Sequence, residues 1–166
     1  PAVKEKLIDR EVWMLWASFL RYADADPHNQ KIICDKAKVD VQGIFVDFST
    51  KDFMATIEKE TRGRDIGILV NNVATILDKG IGELTQSEIE NTIHLNSLVH
   101  SLMLNYFLPL MNRRTKRSGL IDVASTLSLG PAGGYHFQAA AKAFTRSLTL
   151  STYCSLSTNI SKIPGR

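Results

Sequence analysis

Apolar positions at Ile8, Val12, Leu15, Trp16, Phe19 and Leu20 recur at helical spacing and predict an amphipathic helix ending near Asp24. Polar residues around Pro27 break that pattern, and a short apolar strand is expected over residues 31–34. A longer strand is expected over residues 39–48, with Gly43 as its weak point. Asp52 is placed to cap a helix running to about Arg62. Within residues 65–72, the run Ile66-Gly67-Ile68-Leu69-Val70 is apolar on both faces, as a central strand of a parallel sheet requires. Thr85 and Glu88 then form a capping box, in which the hydroxyl and the carboxylate each satisfy free backbone N–H groups. The helix so opened is expected to reach about Met111, with Pro109 bending or ending its last turn. Residues 120–124 read as a buried strand, 135–153 as a helix, and 159–163 as a last strand before Pro164-Gly165.

Strands alternating with helices from about residue 39 onward predict an α/β parallel sheet, the doubly wound class that binds nucleotides at the carboxyl ends of its strands. Residues 1–30 read as an N-terminal helix and linker, and residues 31–166 as the sheet domain. A chain of 166 residues, 44% hydrophobic and 22% charged, suffices for one ordered domain with a real core. Its net charge of +3 is too mild and too dispersed to imply nucleic acid, which needs a clustered basic face. Arg113, Arg114, Lys116 and Arg117 do cluster, between a helix and a strand, and read as a solvated loop. Cys34 and Cys154 have no metal or redox spacing and fit reduced thiols in an intracellular setting. His94, His100 and His136 have no ligand spacing, so no metal site is expected. The most apolar N-terminal run, residues 12–20, is too short to cross a bilayer, and no transmembrane span is expected. Trp13 and Trp16 lie on the apolar stripe of the expected first helix, available for packing on the chain itself or for docking on another protein.

Chemistry concentrates between Val123 and Phe144, where Ser125 closes a strand, a loop with Pro131 follows, and a helix carries Lys142. This stretch resembles the active-site segment of the short-chain dehydrogenase/reductase family, in which a serine precedes Tyr-x-x-x-Lys. Four further segments resemble the same family in the same order. Val46-Asp47-Phe48 is similar to its acidic strand end, and the segment from Asp65 to Ala74 to its Asn-Asn-Ala-Gly strand. His94-Leu95-Asn96 is similar to the helix bearing its catalytic asparagine, with Leu108-Pro109-Leu110-Met111 as that helix's end. Ile163-Pro164-Gly165 resembles the Pro-Gly beside the nicotinamide. The resemblance spans roughly residues 39–165 and is nearest to the 17β-hydroxysteroid dehydrogenase and very-long-chain 3-ketoacyl-CoA reductase branch. It implies a Rossmann-like sheet and a set of roles. Asn96 would anchor a proton-relaying water, Ser125 would hydrogen-bond a substrate carbonyl, and Lys142 would lower a phenol pKa and reach the nicotinamide ribose. Asp47, Asn71, Lys142, Pro164 and Gly165 would contact the cofactor. The helices at 85–111 and 135–153 would form a dimer interface.

Two departures reshape these expectations. Gln138 stands where the family has its tyrosine, by ungapped spacing from both Ser125 and Lys142. A carboxamide has no titratable proton near neutral pH, and loss of a general acid removes on the order of 10²- to 10⁴-fold in rate. Tyr135 keeps the helical face of Lys142 but lies two turns before it, and reads as an ordinary helix-start aromatic. The second departure is the glycine-rich turn whose backbone N–H groups hold the cofactor pyrophosphate in the family. Lys79-Gly80-Ile81-Gly82-Glu83-Leu84 is its nearest imitation and trails a strand by several residues, while Ala74 replaces the glycine after the Asn-Asn pair. The expected fold is therefore an incomplete Rossmann-like doubly wound parallel sheet lacking the first strand and the glycine-rich turn. Missing sequence, a rearranged sheet or a partner over the exposed edges would each account for the gap. The expected function is that of a degenerate, non-catalytic member serving as a structural or interaction subunit without a cofactor. The alternative is an NADP-dependent reductase of 3-ketoacyl-CoA or steroid type whose cofactor-binding segment is absent from this chain. An intracellular site, in the endoplasmic reticulum or the mitochondrion, fits either.

Overall fold

A computed structural model describes the backbone of residues 13–18 and 42–160 and the side chains of residues 42–156. Three parallel strands form its sheet: β1 (Trp13–Ser18), β2 (Ile66–Asn72) and β3 (Gly119–Asp122), in the order β1-β2-β3. Met14 lies opposite Ile68 and Ser18 opposite Asn72, while Ile68 pairs with Gly119 and Asn71 with Asp122. The expected amphipathic helix is thus corrected to a strand over Trp13–Ser18, including both tryptophans. Its neighbour explains the outcome. β2 is buried along nearly its whole length and needs a hydrogen-bonding partner on each edge. The run Trp13-Met14-Leu15-Trp16-Ala17 is continuously apolar and long enough to supply one. In the doubly wound order 3-2-1-4-5-6, strand one lies beside strand four. β1 takes that place beside β2, so the gap expected there is filled.

Among the described residues four α-helices accompany the sheet: α1 (Phe53–Thr61), α2 (Gln86–Ile93), α3 (Val99–Asn112) and α4 (His136–Ile160). The expected strand over residues 39–48 is also corrected, since residues 42–48 form no strand. Asp47 instead turns the chain into α1 by accepting from Ser49 N at 2.9 Å and Ser49 Oγ at 2.7 Å. Asp52 occupies the N-cap of α1 without a side-chain capping bond. The capping box at α2 forms as expected: Thr85 Oγ1 accepts from Glu88 N at 3.3 Å, and a Glu88 carboxylate oxygen accepts from Thr85 N at 2.9 Å. Lys79, 2.6 Å from that carboxylate, and the Thr85 donors hold the Glu88 pKa at about 2.

A π-turn over His94–Leu98 joins α2 to α3, so one helical rod runs from Gln86 to Asn112. Pro109 sits inside the rod rather than ending it, and Arg113 N and Arg114 N close its last turn on the carbonyls of Leu110 and Met111. The basic cluster is more than a solvated loop. Arg114 grips Asp65 through both carboxylate oxygens and donates to Arg117 O and Ser118 Oγ, fixing the end of α3 to the start of β2. The strand expected over residues 159–163 is corrected in part, because α4 continues through Ile160. The strand expected over residues 31–34, and Pro164 and Gly165, lie outside the described residues.

Phe48, Phe53 and Ile57 from the α1 region meet Ile66 and Leu69 of β2, Val73 just after it, and Leu95, Val99, Met103, Phe107 and Met111 of the rod in an apolar core. Phe107 is fully buried there. Replacing it with alanine is expected to cost about 3–5 kcal/mol, read from urea unfolding, and a loss within error would place it outside the core.

Candidate active site

At the carboxyl end of β2 the chain leaves the sheet through Val73 and Thr75, and two amide side chains converge on it. Asn96 lies in the π-turn, where Val99 N reaches back five residues to His94 O and the regular ladder is interrupted. Its side chain is buried and braces Thr75 on both sides: Oδ1 accepts from Thr75 N at 3.2 Å, and Nδ2 donates to Thr75 O at 3.1 Å and Thr92 O at 3.0 Å. Its backbone carbonyl accepts from Thr145 Oγ1 at 2.8 Å, tying the π-turn to α4. Gln138, only 4% exposed, donates from Nε2 to the same Thr75 carbonyl at 3.0 Å. The residue at the proton-donor position is therefore a bracing amide between α4 and the exit of β2.

Lys142 lies one turn further along α4, on the inner face, and is 6% exposed. Its Nζ donates to Val123 O at 3.0 Å. Burial pushes its pKa down, against the pull of the Asp122 carboxylate. Ser125 Oγ accepts from Leu127 N at 3.2 Å and so caps a short 3-10 turn over Thr126–Leu129. Tyr135 and Gln138 line a cavity of about 10 Å³ together with Leu77, Leu84, Thr92 and Phe137. That volume holds about one water molecule.

Of the residues assigned to the cofactor by resemblance, Asp47 and Asn71 lie among the described residues besides Lys142. Asp47 is exposed, and its carboxylate is taken up by Ser49, whose hydroxyl and backbone N–H hold its pKa below the ordinary value. Asn71 is buried within β2, and neither atom of its amide reaches hydrogen-bond distance of a partner among the described residues. In the sequence, no glycine stands between Ser18, the last residue of β1, and Gly43.

Beneath this layer lies a polar cluster to which the sequence reading gave no role. His100 is fully buried, with Nε2 2.8 Å from Val73 O and Nδ1 3.2 Å from Asp122 Oδ1. Each ring nitrogen thus has an oxygen within hydrogen-bond reach. Thr149 donates to the other Asp122 oxygen, and the Asn71 amide lies beside the same carboxylate. Burial pushes the Asp122 pKa up. The hydrogen bonds from His100 and Thr149, with the nearby Asn71 amide, outweigh it and hold the group below the usual carboxylate range. One signal was legible: an aspartate inside a short buried strand, and a histidine in the most apolar helix, each require a partner.

A family model described as "short chain dehydrogenase" matches residues 21–161. The chain is 31% identical over 116 residues to a very-long-chain 3-oxoacyl-CoA reductase of Bos taurus, a match covering 68% of this chain and 37% of that protein. It is 29% identical over 117 residues to the inactive hydroxysteroid dehydrogenase-like protein 1 of Homo sapiens, covering 69% and 35%. A 17-beta-hydroxysteroid dehydrogenase type 3 of Rattus norvegicus is 31% identical over 107 residues, covering 63% and 34%. The chain thus spans little more than a third of each relative. Among solved structures, a short-chain dehydrogenase from Sphingobium yanoikuyae in complex with NADPH superposes with a TM-score of 0.72 at 23% identity, over 79% of this chain and 52% of that one. That likeness is one of fold.

Asp122 gives the cluster a definite pH dependence. A carboxylate with a depressed folded-state pKa contributes stability that is fully present above its unfolded value, near 3.8, and is lost as pH falls through the folded value. Asp122→Asn is expected to lower stability at neutral pH and to flatten the acid limb, measured by urea unfolding at stepped pH. An unchanged acid limb would remove Asp122 from that role.

Proposed function

Since the chain belongs to the short-chain dehydrogenase family, we propose that it is a non-catalytic member, kept as a folded structural or interaction subunit. The observation that carries this reading is Gln138: its amide is buried and spent on the Thr75 carbonyl, where proton transfer to a substrate oxygen would need an acid. Three further observations support it. The sequence after β1 has no glycine before Gly43, and so lacks the glycine-rich motif that holds a pyrophosphate. The Lys142 ammonium is directed at Val123 O. Inactive proteins also occur among the relatives, beside named reductases and dehydrogenases.

An interaction role draws support from the outward faces of the rod and α4, where Leu98, Phe144 and Leu150 are exposed. Large apolar side chains in water on adjacent helices suit a protein partner or a second copy. The competing reading, an NADP-dependent reductase of 3-ketoacyl-CoA or steroid type, has the named activities of two relatives in its favour. It requires a phosphate cradle and an acid from outside the residues assembled here.

The purified chain is expected to give no heat with NADPH in calorimetry and no NADPH oxidation with 3-ketoacyl-CoA or steroid ketones. Micromolar affinity for NADPH would sink the non-catalytic reading. Gln138→Tyr by itself is expected to leave turnover at background, and a large gain would show that residue 138 alone silences the site.

A further inference from the structure

The basic loop between α3 and β3 carries more charge than its structural task requires. Arg114 performs that task, taking both oxygens of Asp65 and donating to Arg117 O and Ser118 Oγ. The end of α3 is closed as well: Arg113 N and Arg114 N donate to Leu110 O and Met111 O, and Ser118 Oγ donates to Met111 O. Three further cations follow on the same loop, Arg113, Lys116 and Arg117, all exposed. Neither Arg113 nor Arg117 has a carboxylate within ion-pair distance among the described residues.

These charges border a concavity. Asp65, Leu110, Arg113, Arg114, Thr115 and Lys116 line a cleft of about 340 Å³. Two arginines and a lysine stand there against one carboxylate, and Arg114 already engages it. Like charges on neighbouring residues repel one another, and a bound anion relieves that repulsion. The cleft is built before any ligand arrives, because the Arg114 side chain is only 7% exposed and is pinned by the bonds above. A guanidinium matches phosphoryl oxygens two at a time, and an ammonium adds a point charge. Leu110, 42% exposed, sets an apolar surface beside them. The volume lies within the range of small-molecule clefts, about 300–1,000 Å³, and exceeds what one phosphate group fills.

Asp65 directly precedes β2 and Ser118 directly precedes β3, so the cleft lies at the amino ends of these strands. Gln138 and Thr75 meet at the carboxyl end of β2, roughly 20 Å away at about 3.3 Å per strand residue. Doubly wound sheets bind their nucleotides at that carboxyl end. The cleft is therefore separate from the candidate active site, whether or not that site is catalytic.

We propose that this cleft binds a phosphate ester, with Arg113 and Lys116 holding the phosphoryl oxygens and Leu110 touching the apolar part of the ester. Arg117 strengthens the field that draws the anion in, and Arg114 is scaffold, not ligand. A phospholipid headgroup and a soluble phosphate ester present this same chemistry.

The probes are inorganic phosphate, and phosphatidylcholine vesicles with and without phosphatidic acid, each added to the full chain. Phosphate is expected to shift the backbone amide signals of residues 113–117 and to saturate in the millimolar range, where potassium chloride at matched ionic strength does not. Arg113→Gln combined with Lys116→Gln alters only exposed side chains and is expected to keep the urea midpoint of the unaltered chain. That double variant is expected to weaken phosphate binding by about tenfold or more, as loss of two charge-assisted contacts requires. Lys51→Gln, an exposed charge outside the cleft, is expected to leave binding unchanged. Sedimentation with phosphatidic acid vesicles that the double variant loses identifies a lipid headgroup as the source of the phosphate. Phosphate binding without sedimentation identifies a soluble ester, and either result supports the cleft. An equal response to chloride, binding that survives the double variant, or a folded chain that ignores phosphate overturns it.

Discussion

β2 cannot exist alone. A parallel strand buried on both faces carries backbone N–H and C=O groups that water does not reach, and each one left unpaired costs about 1–3 kcal/mol. Partners on both edges are therefore obligatory, and β1 and β3 supply them. Pairing along Trp13–Ser18 outweighs a helical preference worth only a few tenths of a kcal/mol per residue. Once β2 is fixed, its exit presents the Val73 and Thr75 carbonyls at the sheet's end. His100, Asn96 and Gln138 all hydrogen-bond to those two oxygens. The geometry of the site follows from the requirement for a central strand.

Much of the fold was legible because its signals are local. The Thr85–Glu88 box needs only four consecutive residues, and the capped helix begins there. The run Ile66–Val70 reads apolar on both faces because both faces are covered, and that too is a property of the segment itself. Trp13–Ser18 was misread because its apolar residues satisfy two periods at once. Helical spacing from Ile8 to Leu20 and an unbroken apolar run inside it are both present, and only the vacancy beside β2 decides between them. Residues 42–48 failed in the opposite direction: an apolar-rich stretch did not make a strand, and Asp47 spends its carboxylate on a turn.

The site divides along the same line. Register between Ser125 and Lys142 located Gln138, but spacing says nothing about what a buried amide will bond to. Its partner, Thr75 O, lies sixty-three residues away. Asp122 and His100 were visible only as polar residues in apolar surroundings. Sequence gives that such residues need partners, and the tertiary structure gives that they satisfy one another.

Asn96, Ser125 and Lys142 would ordinarily be taken as evidence that chemistry persists. Their contacts supply a different reason for their presence. Each is committed to the protein's own backbone: Asn96 to Thr75 and Thr92, Ser125 to Leu127, Lys142 to Val123. Removing any buried partner would strand a polar group, a penalty that acts whether or not a substrate is ever bound. Gln138 extends this logic. An amide can complete the bracing of Thr75 without a proton to give, so the position meets a structural demand of its own. A structural demand therefore acts on these family residues independently of any reaction, because the same side chains hold the end of the central strand.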